Sequence, residues 1–265
     1  MTDLSPGGPA LRHRAIAELV GTAFLVTAVV GSGIAAQRLS PDDVGLQLLE
    51  NALATGAALA ALIIALQPVS AAFNPVVTVL ERLTGALRSF HAVMLVGAQV
   101  VGGLIGVVVA NLMFSEPAVS LSTTNRGGPG RWLGEVVATA GLVLLITTLS
   151  RTGRPQLIGW AVGAYITAGY WFTSSTSFAN PAVTIARMFS DTFAGIEPAS
   201  VPMFLIAQIV GGAVGYGLAR TIYRQPTLTA LTNENRHELD ATRRFETSAD
   251  DFQARITALL RDLNV

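Results

Sequence analysis

The sequence predicts an all-α membrane protein of six transmembrane helices plus two re-entrant half-helices, arranged as two inverted repeats. Of its 265 residues 51% are hydrophobic and only 13% charged, whereas a soluble domain carries about a quarter charged residues. Six stretches supply the roughly 20 predominantly apolar residues that a spanning helix needs. Two Asn-Pro segments, at Asn74-Pro75 and Asn180-Pro181, recur at matching places in the two halves.

The spans are read at 15–36, 48–66, 90–114, 132–149, 157–176 and 201–222. The polar opening segment 1–14 leads into an apolar stretch with no small-residue cleavage pattern after it, so that stretch reads as a retained helix rather than a signal peptide. An even number of spans puts both termini on one side. With the termini inside, Arg12, Arg14, Arg82, Arg88, Arg151, Arg154, Arg220 and Arg224 lie at cytoplasmic ends, against Arg38, Arg126, Arg131 and Arg187 opposite. That excess favours a multi-pass protein of the cell (plasma) membrane with cytoplasmic termini.

The halves resemble each other. Ala17-Glu18-Leu19-Val20-Gly21-Thr22-Ala23 in the first span parallels Gly134-Glu135-Val136-Val137-Ala138-Thr139-Ala140 in the fourth. The stretch from Ala98-Gln99 to Gly106 in the third span matches that from Ala207-Gln208 to Gly215 in the sixth. Repeat one therefore covers about 15–114 and repeat two about 132–224. Three spans per repeat is an odd number, so the second enters the membrane from the opposite side and a pseudo-two-fold axis lies in the membrane plane. Gly102, Gly103, Gly106, Gly211, Gly212 and Gly215 are small residues at spacings that let helix backbones approach.

Composition excludes several functions. All 17 basic residues are arginines, balanced by 17 acids, so no broad basic surface suggests nucleic acid as partner. There is no cysteine and only three histidines, His13, His91 and His237, which offers no metal cluster. No cofactor is expected. An enzyme using Glu18 and Glu135 as general acid and base would need a nucleophile, metal or oxyanion donor beside them, and no motif supplies one.

Each Asn-Pro segment is followed by roughly ten moderately apolar residues, too few to cross a bilayer. Asparagine is a favoured N-cap, and proline suits the first helical position. Asn74-Pro75-Val76 and Asn180-Pro181-Ala182 thus read as the starts of two half-helices at membrane depth, tolerated only where protein covers them or a wet cavity is lined. Two helix N-termini meeting there each present about half a positive charge, and the asparagine amides are expected to donate into the pore. Cations are repelled, proton hopping is interrupted, and neutral hydrogen-bonding solutes pass.

By these residues the chain resembles the aquaporin and aquaglyceroporin family, or major intrinsic proteins, over roughly 12–224. The resemblance rests on the doubled Asn-Pro-Ala-type motif, the Glu-x-x-x-Thr segments of spans one and four, and the Gln-x-x-Gly-Gly segments of spans three and six. It implies an aquaporin-like fold, a homotetramer in membrane lipid with one pore per subunit, no cofactor, and passive flux of water or small neutral solutes. It also implies that Glu18 and Glu135 accept backbone amides of the re-entrant loops, as a carboxylate inside a span must find donors.

The sequence departs from the family pattern at its outer selectivity filter. Val183 stands where the family has arginine, and the family's offsets put Ala54 (or its neighbour Thr55), Ala168 and Ser177 at the other filter positions. These replacements remove a fixed charge and widen the opening, which shifts the expected substrates to glycerol, urea or an undissociated metalloid hydroxide such as arsenite, as linked to some atypical bacterial members. Arg187, one turn beyond Val183, is a candidate for restoring positive charge in the outer vestibule; its repeat equivalent is Glu81. Val76 replaces the alanine of the first motif.

Residues 225–265 change character, and Phe252, Ile256, Leu259, Leu260 and Leu263 have the spacing of an amphipathic helix in a cytoplasmic tail. The alternatives to a channel are a secondary active transporter, which also uses inverted repeats and broken helices, and a closed membrane scaffold.

Overall fold

The structure, a computed structural model, describes residues 8–223; Arg224 and the amphipathic helix expected in the tail lie outside them. The described residues form eight α-helices and no strand: α1 Leu11–Leu39, α2 Val44–Leu66, α3 Pro75–Leu83, α4 Ser89–Met113, α5 Pro129–Arg151, α6 Ile158–Phe172, α7 Pro181–Ala186 and α8 Val201–Ile222. The order long, long, short, long occurs twice, with the sixth helix shortened. We call the end at which α1 starts proximal and the other distal.

Helices α1, α2, α4, α5 and α8 are long and apolar enough to cross a bilayer. The remaining expected crossing, the fifth in chain order, is α6, which has 15 residues and stops at Phe172 rather than running to residue 176. Thr173 closes it by donating its hydroxyl to Gly169 O at 2.7 Å. The chain then enters left-handed backbone at Thr176, Ser177 and Ala179. A continuing helix could not reach the carboxylate of Glu135, to which Phe178 N and Ala179 N donate.

Local chemistry sets the other ends. Asp43 caps α2 by accepting Leu46 N at 2.9 Å, and Pro129 occupies the first turn of α5 behind Gly128, where a missing amide hydrogen costs nothing. Large apolar side chains such as Phe24, Phe90, Trp160 and Ile209 remain exposed. Such a surface suits lipid or a neighbouring subunit, not water.

The two repeats are each held by one close helix crossing. A Cβ on Gly102 or Gly106 of α4 would lie much closer to Leu19 O or Ala23 O of α1 than van der Waals contact allows. Gly211 and Gly215 of α8 stand the same way against Val136 O and Ala140 O of α5. The Thr27 hydroxyl donates across the first crossing to Gly106 O at 3.1 Å.

The third glycine of each set serves the opposite repeat. Gly103 of α4 faces Ala182 O and Ala186 Cβ of α7, while Gly212 of α8 faces Val76 Cγ1 of α3. Val76 is thus accommodated by the missing side chain at Gly212.

At the close crossing, Gly106→Leu is expected to destabilise the folded protein by about 2 kcal/mol or more, since no rotamer relieves a clash with backbone. Gly97, with nothing within 4 Å of its Cβ position, is the control: Gly97→Ala should not destabilise and should gain up to about 1 kcal/mol, because alanine is the better helix former. Thermal denaturation of detergent-solubilised protein measures both.

Candidate functional site at the paired half-helix ends

Both half-helices begin as their sequences require. Asn74 is extended and its Oδ1 accepts Val76 N at 3.0 Å; Asn180 Oδ1 accepts Ala182 N at 3.0 Å and Val183 N at 3.3 Å. Pro75 and Pro181 fill the first helical position. The other end of each side chain crosses to the opposite repeat. Asn74 Nδ2 donates to Ala179 O at 2.7 Å and Asn180 Nδ2 donates to Phe73 O at 2.7 Å.

This reciprocal pair modifies the expectation that both amides donate freely into a pore. An amide nitrogen carries two hydrogens. One is spent on the partner repeat and one remains.

The carbonyls of Phe73 and Ala179 are set for this by an uncommon backbone, with φ of 47° and 50°. Left-handed backbone costs an ordinary L-residue roughly 1–2 kcal/mol, and the buried carboxylates hold it. Glu18 accepts Ser70 Oγ at 2.5 Å, Ala72 N at 2.9 Å, Phe73 N at 2.7 Å and Gln99 Nε2 at 2.8 Å. Glu135 accepts Phe178 N and Ala179 N, both at 2.9 Å, and Gln208 Nε2 at 2.6 Å.

The same glutamines tie the carboxylates to the half-helices. Gln99 Nε2 also donates to Thr78 Oγ1, and Gln208 Nε2 to Thr184 Oγ1, each at 2.8 Å. Sequence reasoning did not assign Thr78 and Thr184 a role; their recurrence four residues after each asparagine was the available signal.

A cavity of about 620 Å³ runs past this junction, bordered by Arg14, Gln67 and Glu81 towards the proximal end, by Asn74 and Asn180, and by Ser177, Phe178 and Arg187 on the distal side. Its flanks are largely apolar. Helix α2 contributes Thr55, Leu59 and Ile63, and α6 contributes Ile158, Val162, Ile166 and Tyr170, each set spaced by one helical turn.

That spacing decides between Ala54 and its alternative Thr55, and moves the α6 position away from Ala168. Val183 and Ser177 border the cavity, but Ala54 and Ala168 do not and are exposed. Ala54 lies about 100° around α2 from Thr55, and Ala168 about 200° around α6 from Ile166. Thr55 and Tyr170 take the wall instead, the Tyr170 hydroxyl donating to Thr55 Oγ1 at 3.2 Å. A period-four count along 158–170 was the signal for Tyr170. Ser177 reaches the cavity without its hydroxyl, which is buried and faces the Gly169 backbone.

The two residues seven positions after each asparagine diverge. Glu81 borders the proximal end near Arg14, at 3.9 Å. Arg187 borders the distal end, buried, with Nε donating to Ala194 O.

Comparison with known proteins agrees with this geometry. The profile of the major intrinsic protein family matches residues 9–171 and 136–248. The aquaglyceroporin AqpS of Rhizobium meliloti is 47% identical over 79% of this chain and 90% of its own length. Aquaporin Z of Photorhabdus laumondii is 27% identical over 79% of this chain and 96% of its own. The X-ray structure of the aquaglyceroporin from Plasmodium falciparum superposes with a TM-score of 0.62, covering 83% of this chain and 98% of that one at 18% identity, which speaks for the fold. With its two half-helices meeting beside an axial cavity and a family profile spanning both repeats, the chain belongs to the major intrinsic protein family.

Proposed function

We propose that the protein is a passive channel for small neutral solutes such as glycerol, urea or an undissociated metalloid hydroxide like arsenite, with water, and that it excludes protons and cations where the half-helices meet. One observation carries the reading: a single cavity borders both Asn74 and Asn180, each the N-cap of a half-helix. The helix ends place about half a positive charge each there. The remaining asparagine hydrogens suit an acceptor oxygen, so a water passing between them is held with its own hydrogens turned away, which breaks a proton wire.

Selectivity for solutes larger than water is supported by Val183, which brings no guanidinium to the wall. Thr55 and Tyr170 supply hydroxyls instead. A relative named an aquaglyceroporin fits this preference. A coupled transporter is disfavoured because Glu18 and Glu135 are committed to hydrogen bonds with the loops, leaving neither to carry a proton across.

In this reading 1–14 is a cytoplasmic N-terminal segment, 15–224 is the conducting domain and 225–265 a cytoplasmic tail. The protein sits in the plasma membrane as a homotetramer whose exposed apolar side chains face lipid and neighbouring subunits.

Proteoliposomes should swell in glycerol, urea and arsenite gradients at rates unaffected by an imposed proton gradient; inert vesicles, or uptake driven by that gradient, would overturn the channel reading. Val183→Arg adds a bulky cation to the distal wall, and we expect it to slow glycerol and arsenite entry about tenfold, equivalent to ~1.4 kcal/mol of barrier, with water flux less affected. Stopped-flow light scattering resolves the two.

A further inference from the structure

The distal end of the cavity carries an arrangement of charge that the channel reading leaves unused. Arg187 is buried and its guanidinium carbon lies 3.4 Å from the centroid of the Phe178 ring. Arg126 reaches the same ring from the segment between α4 and α5, at 5.0 Å. A guanidinium over an aromatic face is attracted by the negative face of the ring, the more so when desolvated.

The ring is fixed from behind. Phe178 N is bound to Glu135 Oε1 at 2.9 Å, and the side chain packs edge-on against Phe204 of α8, with centroids 5.3 Å apart and planes at 74°. Arg126 is anchored as firmly, with Nε donating to Gly195 O at 2.7 Å and Nη2 to Phe193 O at 3.1 Å. Those carbonyls flank Ala194, whose own carbonyl accepts Arg187 Nε.

Neither guanidinium has a carboxylate within 4.0 Å among the described residues. Their near partners are backbone carbonyls, the shared ring and, for Arg126, the Thr176 hydroxyl at 3.5 Å, with the Glu135 carboxylate acting from farther away. Burial draws the Arg126 guanidinium down to about 10, which still leaves it charged at neutral pH. At the proximal end, by contrast, a carboxylate, Glu81, lies 3.9 Å from Arg14. Among the described residues the one hydrogen bond of Arg187 uses Nε, and the side chain borders the cavity. The Nη hydrogens are therefore the donors it can offer a solute.

Resting on the channel reading, we propose that Arg187 is the cation-repelling, solute-orienting residue of the distal end of the cavity, and that Phe178 and Arg126 are positioning residues which hold its guanidinium at the cavity wall. The solute class this recognises is a small neutral molecule with an acceptor oxygen, a hydroxyl or a carbonyl. A monovalent cation entering from the distal end meets the positive charge of Arg187 before it reaches the half-helix ends.

The test uses full-length protein in liposomes, with sodium permeability read from a potential-sensitive dye and solute ranking from swelling in glycerol, urea and erythritol. Arg187→Met should raise sodium permeability about tenfold or more and flatten the solute ranking. Phe178→Leu and Arg126→Met should each do the same to a smaller extent. Because both act through Arg187, Phe178→Leu combined with Arg187→Met should be no leakier than Arg187→Met alone. Arg187→Lys keeps the charge and loses the forked guanidinium donors, so it should retain sodium exclusion and lose the ranking. Wild-type permeability in Arg187→Met, full additivity in the double variant, or a leak in Arg187→Lys equal to that of Arg187→Met would overturn the proposal. Wild-type vesicles that fail to swell would instead defeat the channel reading beneath it.

Discussion

Each of the two asparagines starts a half-helix with its carbonyl oxygen and fastens the opposite repeat with its amide nitrogen. Through Asn74 to Ala179 O and Asn180 to Phe73 O, the helix ends cannot separate without breaking two buried hydrogen bonds, and unpaired buried polar groups cost about 1–3 kcal/mol each. The rest of the fold serves this junction. The carboxylates of Glu18 and Glu135 hold the preceding residues in left-handed backbone, the glutamines tie carboxylate to half-helix, and the glycines of α4 and α8 let both half-helices come close.

The junction also explains how irregular backbone survives at membrane depth. Lipid offers no partners for free amides, and here Glu18 and Glu135 take the loop amides while the asparagines take the first amides of each half-helix. Both asparagines border the cavity, so the second hydrogen of each amide is the donor a solute can use. Structure and selectivity thus draw on the same groups, and the fold tolerates little change there.

Much of this was legible in the residues. The spans follow from length and hydropathy, and the inversion from an odd number of spans per repeat. The half-helix starts follow from Asn-Pro chemistry. The glycine spacing marked the close crossings, although which carbonyl each glycine meets depends on packing. The filter was less legible, because offsets counted from a motif assume that helix and loop share one register. At α6 the helix stops at Phe172, the loop starts early, and the wall falls to Tyr170 rather than Ala168. Arg126 carried no signal at all. It lies 52 positions before Phe178 in a segment without periodicity, and only the fold brings it to the same ring as Arg187.

The most direct measurement is proton and sodium conductance of Asn180→Asp in proteoliposomes, alongside solute swelling. Aspartate keeps the oxygen that caps α7 but removes the amide that reaches Phe73 O and places negative charge at the half-helix end. The account predicts a folded protein with sodium and proton leak raised about tenfold or more and altered solute flux. A correctly folded Asn180→Asp protein that stays as tight to protons and sodium as the wild type, with the same swelling rates, would contradict it.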